Sequence, residues 1–157
     1  MSAVDESPWA VRDASHDVLL GAVNSGPLAG LREVQVAFDG HAIRSWPDGA
    51  GGVYVVIESV QLGPAWAQET SWLGFTINYL YPDADTYPHY VRADLSHVDG
   101  NALVVPFHLG NTFQDRAAVM VSRSSPQRVT GLNTAARKAL SVLTFIQSQP
   151  VDRGQAA

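Results

Sequence analysis

The chain has no cysteine among its 157 residues. That excludes a disulfide framework, a thiolate zinc site and a thiol nucleophile. No apolar run approaches the ~18 residues that a membrane-spanning helix needs. Lysine and arginine are sparse and scattered: 10 of them against 15 acidic residues, for a net charge of −5. That balance argues against nucleic-acid backbones and anionic membranes as partners. The opening stretch "MSAVDESPWA" is acidic. It has neither the basic nor the apolar region of a signal peptide, so a cytoplasmic location is expected. Phosphate-loop, dinucleotide (GxGxxG), zinc-protease (HExxH) and nucleophile-elbow (GxSxG) motifs are missing too. There is no internal repeat and no low-complexity linker.

What is present describes a folded domain. Hydrophobic residues make up 46% of the chain and charged ones 16%, as in an ordinary globular protein. The length suits one domain over 1–157, with frayed tails at about 1–6 and 150–157. Residues 8–24 read as a helix with Val11, Ala14, Val18, Leu19 and Ala22 on one face, capped by Ser7 and started by Pro8. "SGPLAG" reads as a breaker. Strands are expected over 31–38, 53–62, 72–81 and 89–96, with a turn-rich connection between the first two. In the last strand Tyr90, Arg92 and Asp94 alternate against Val91, Ala93 and Leu95. An irregular segment follows, with 116–121 as a short extended run. A helix over 132–149 closes the chain, with Asn133 as cap and Leu140, Leu143 and Ile146 expected to be buried. The order predicts an α+β domain: an N-terminal helix, a four-stranded antiparallel meander, an irregular segment and a C-terminal helix.

The chemical candidates are few. His89, Asp94 and His97 invite a metal site. Along one strand, however, positions 89 and 97 stand about 26 Å apart at ~3.3 Å per residue, so no metal and no cofactor are expected. Four tryptophans suit packing better than a cofactor box. More informative are "YPDADTYP", an extended crossing with two Tyr-Pro pairs, "HLGN" at 108–111, and "VMVSRSSPQR" at 119–128, rich in hydroxyls and arginine.

In this order, the pieces resemble the ubiquitin-conjugating enzyme fold over nearly the whole chain. That family runs its third strand into a motif like F-P-x-x-Y-P, similar to Tyr81-Pro82 and Tyr87-Pro88 here with a longer spacer. It then sets an H-P-N tripeptide some eight residues before its catalytic cysteine. His108 to Asn111 occupies a similar place, with Leu109-Gly110 where one proline stands in the family. Family spacing from Asn111 reaches Val119–Met120. No cysteine is there, and the nearest nucleophile is Ser122. "VSRSSPQRVTGLNTA" is similar to a bacterial subgroup bearing S-R-R-S-N-x-W and then D-T-A. Ser122, Arg123, Ser125 and Thr134-Ala135 match it; Ser124, Pro126, Arg128 and Asn133 depart from it. Proteins of that subgroup occur in ubiquitination-like (Bub-type) conjugation operons linked to phage defence.

The resemblance implies two readings. In one, the chain accepts the C-terminus of a ubiquitin-like protein from an activating-enzyme-like partner as an oxyester on Ser122. Ser125 and Ser124 are then the fallback acceptors. His108 is the nearest base. Arg123 and the Asn111 amide would stabilise the oxyanion, at ~3 kcal/mol per donor. In the other, the chain is a catalytically inert binding module that docks the same partners. Local loop hydrogen bonding explains any single serine, histidine or asparagine here about as well.

Overall fold

The computed structural model describes residues 19–124 and 134–151. It is α+β: two helices cover one face of a six-stranded antiparallel sheet. The elements are α1 (Ser25–Ala37), β1 (Ile43–Pro47), β2 (Val53–Gln61), β3 (Thr70–Ile77), β4 (His89–Arg92), β5 (Phe107–Phe113), β6 (Arg116–Val121) and α2 (Ala135–Gln147). The spatial order is β1-β2-β3-β4-β6-β5.

The expected four-stranded meander is corrected in three places. Residues 31–38, read as a strand, lie largely in α1. The expected breaker at 25–30 is that helix's first half. Pro27 falls in the first turn, where its missing N–H breaks no intrahelical bond. Pro27, Gly30, Leu31 and Val34 are buried at helical spacing, whereas Val36, needed for strand alternation, is 77% exposed. Next, the turn-rich connection holds an edge strand, β1, paired with β2 from Ile43↔Ile57 to Pro47↔Val53. Proline is tolerated at such an edge. Finally, the irregular segment contains the β5–β6 hairpin, which joins the sheet through β6 on β4.

Elsewhere the strand pattern survives with trimmed ends. β2 pairs β3, and β3 pairs β4, antiparallel as expected. Of the expected first helix, 8–18 lies outside the described residues. The helix ends by Leu20, followed by a turn. Leu20 and Val23 reach the core, while Leu19 is exposed. Asn133 also lies outside the described residues; the cap of α2 is Thr134, whose hydroxyl accepts from the Arg137 N–H at 3.1 Å.

One burial expectation fails. Leu140 is 43% exposed. The inner stripe of α2 is Ala135, Ala139, Val142 and Ile146, and Leu140 sits about 100° around the helix from Ala139. Leu143 is half-buried and Ile146 fully buried. Small alanines on the inner stripe let α2 lie close against α1.

The main core lies between helices and sheet. Val53, Val55 and Ile57 of β2, Leu73, Phe75 and Ile77 of β3, and Val119 and Val121 of β6 supply its inner layer. The opposite face carries an aromatic cluster: buried Trp46 and Phe113, with Tyr54, Trp72 and Tyr90 half-exposed around them.

Between β3 and β4 the chain crosses over the helices, and Tyr81 fixes that crossing. Its hydroxyl accepts the Ala135 N–H at 2.9 Å and donates to Glu33 Oε1 at 3.3 Å. Its ring lies on Gly30, where a Cβ would come within 2.8 Å of Tyr81 Cε2; a Cβ at Gly26 would collide with the Tyr81 carbonyl. Alanine is the better helix former by ~1 kcal/mol, yet Gly30→Ala is expected to destabilise the protein by about 1–3 kcal/mol, since the pinned ring cannot retreat. Tyr81→Phe should cost about 1 kcal/mol. Urea unfolding of both variants checks the sign and the order.

Candidate functional site

The β5–β6 hairpin brings the two sequence segments of interest together. His108 stands opposite Met120, two residues before Ser122, and the Ser122 N–H donates to the Pro106 carbonyl at 2.9 Å. Strand register therefore sets "HLGN" beside the start of the "SRSS" stretch. Ser122 is half-buried. Its hydroxyl is 2.6 Å from the Tyr87 hydroxyl, and either oxygen can donate. Tyr87 is 44% exposed. It comes from the crossing, whose two Tyr-Pro peptides are both cis.

The other implied residues are engaged differently. His108 makes no side-chain hydrogen bond to Ser122; the contact at that hydroxyl is the Tyr87 phenol. The Asn111 amide donates to the carbonyls of His108 at 3.1 Å and Leu109 at 3.2 Å, closing the bulge in β5. The Arg123 guanidinium lies over the Phe145 ring of α2, 4.0 Å from its centroid. That cation–π contact ties the end of β6 to the helix. Ser124 is exposed, and Ser125 lies outside the described residues.

The same crossing also carries buried polar groups that the motifs did not announce. Lys138, the lone lysine of the chain, is 8% exposed on α2 and bonds both carboxylate oxygens of Asp85 at 2.9 and 3.0 Å. Thr86 is buried next to it in sequence. His89 is wholly buried with its ring 5.0 Å from that of Phe75. Its pKa is pushed down to about 3, first by burial and then by the Lys138 charge. Strand parity held the signal for His89: it shares the side of Val91, which faces the core.

The three residues weighed as metal ligands go to separate places. His89 is in the core, Asp94 pairs with the Arg92 guanidinium through both oxygens, and His97 stacks on Trp66 at 4.3 Å.

A cavity of about 300 Å³ opens at the β2 bulge, away from Ser122, lined by Glu58, Ser59, Thr70, Trp72, Arg92 and Asp94 among others. Its charges answer one another. Glu58 holds Arg44 at 2.8 Å with Arg116 at 3.9 Å, and Arg92 holds Asp94. Its charged side chains are thus engaged with one another.

No protein-family model, curated protein or solved structure matches the chain.

The Lys138–Asp85 pair is testable on its own. Asp85→Ala takes the carboxylate from a buried ammonium and should cost about 3 kcal/mol. Lys138→Met keeps the apolar stem and should cost less. Chemical denaturation should rank them in that order.

Proposed function

We propose that this chain is a ubiquitin-conjugating-enzyme-like module without thioester chemistry. In this reading it docks a ubiquitin-like protein or its activating-enzyme-like partner in a bacterial conjugation pathway serving phage defence. The carrying observation is what stands at the end of β6. Ser122 is there, not cysteine, and its hydroxyl is held by Tyr87 while the Asn111 amide is spent on its own turn. Among the described residues, neither a base nor a free oxyanion donor stands at its hydroxyl.

The element order supports the family reading. A helix precedes four consecutive antiparallel strands, a double Tyr-Pro crossing joins the third to the fourth, and a helix follows. Two features count against it: the β5–β6 hairpin extends the sheet to six strands, and Leu140 faces outward.

A second reading has one observation in its favour. Ser122 is partly exposed, with a phenol at hydrogen-bonding distance that can accept the serine O–H and orient its oxygen, while the proton released on acyl transfer goes to water or to the partner. A serine nucleophile needs such positioning and a base, which the partner would supply. Catalytic hydrogen bonds also tighten only in the productive complex, so oxyester transfer keeps a defined test.

The protein is mixed with a ubiquitin-like protein and an activating-enzyme-like protein of such a pathway, plus ATP. Binding without a covalent adduct is expected for the docking module. An adduct that survives thiol reductant, is cleaved by hydroxylamine and is lost in Ser122→Ala would establish the carrier instead. An adduct persisting when Ser122, Ser124 and Ser125 are all replaced by alanine would move the acceptor off this loop. Neither binding nor adduct would defeat both readings.

A further inference from the structure

His89 is the one described side chain with buried nitrogens that have no hydrogen-bond partner among the described residues. It begins β4, immediately after the crossing. Among the described residues, groups from three elements bear on it. Phe75 of β3 lies against the ring, and β6 sets Val121 opposite it in register; neither carries charge. From α2 comes Lys138, whose ammonium is held by Asp85 of the crossing. An unsatisfied buried imidazole needs a physical reason. Neutral, it fits this apolar slot. Protonated, it would set a second buried cation near Lys138.

The residues just before His89 do the holding. Asp85 anchors the crossing to α2, Thr86 is buried, and Tyr87 holds Ser122. All lie within four residues of His89 in sequence, and Asp85 holds the Lys138 ammonium whose charge acts on the imidazole.

We propose that His89 is a proton-operated latch: the crossing closes only over the neutral imidazole, and protonation on opening keeps it open, releasing Tyr87 and Ser122 together. The latch goes beyond the docking reading and holds whichever partner binds. Its sign follows from the two protonation states. Closed, His89 titrates at about 3, lowered by burial and by Lys138; opened to water, it returns to about 6.5. The open form binds more protons, so the closed form is fully favoured above about pH 6.5 and loses ground as pH falls toward 3. The opening equilibrium should rise about tenfold per pH unit across that window.

Hydrogen exchange on the full chain tests this between pH 7.5 and 4.5, above the ordinary titration of Asp85, with intrinsic rates corrected. Protection of the Asp83 and Ser122 amides, which bond to the Leu80 and Pro106 carbonyls, should fall about tenfold per unit below pH 6.5 while β2 amides stay protected. His89→Leu should flatten the dependence. Unchanged protection, simultaneous loss in β2, or an equal slope in His89→Leu would each overturn the latch. Should His89→Leu fail to fold, nitrogen NMR of the unmodified protein decides. A ring still neutral at pH 5 in the protected form upholds the latch, and one titrating near pH 6.5 with the crossing still protected overturns it.

Discussion

The contact between Tyr81 and the two helices is the constraint from which the rest follows. One phenol satisfies an orphan N–H at the start of α2 and reaches a carboxylate on α1, while its ring fills the notch left by Gly30. The first N–H groups of any helix need partners from outside the helix, and here a side chain from the crossing supplies one. Each hydrogen bond contributes only about 1 kcal/mol. Their value is geometric: α1, the crossing and α2 are held in one arrangement, and the loop that carries Asp85 and Tyr87 inherits its position from it.

The sheet solves a second problem, that of facing two environments. Its inner side is mainly aliphatic around Phe75 and Phe107, and its outer side is aromatic with paired charges. β2 manages the transition with a bulge between Ile57 and Val60, both fully buried. Simple alternation would send one of them outward. The bulge instead turns Glu58 and Ser59 out together, with Ser59 in the left-handed region at φ 62°. That conformation is uncommon for a residue with a side chain and is tolerated where the surroundings impose it.

Legibility along the chain tracked how local the deciding force was. β2 was readable because a β-branched run states its own preference. α1 was not: glycine and proline near its start disfavour a helix in isolation, and only Tyr81, some 50 residues later, explains the glycines. β1 and β5 were hidden because edge pairing depends on neighbours the periodicity does not contain, whereas the extended run at 116–121 is β6. The nearness of "HLGN" to Ser122 was legible from motif order, and hairpin register supplies its physical cause. The partners at that place were less so. Tyr87, Asp85 and Lys138 meet through tertiary packing, which leaves no spacing to count. The Leu140 expectation failed for a related reason: both stripes on α2 are apolar enough, and the space under the sheet selected the alanines.

The small bulge in β5 has a consequence for the protein's life in a crowded solution. β5 is the last strand of the sheet, and Leu109 on it, with Val104 and Val105 just before it, is well exposed. A flat, greasy outer strand invites a neighbouring copy to add itself by backbone pairing. Here Gly110, at φ 79°, bends the strand, and the Asn111 amide occupies the carbonyls of His108 and Leu109. The bend and the occupied carbonyls thereby make the edge a poorer template for strand addition at its most apolar point.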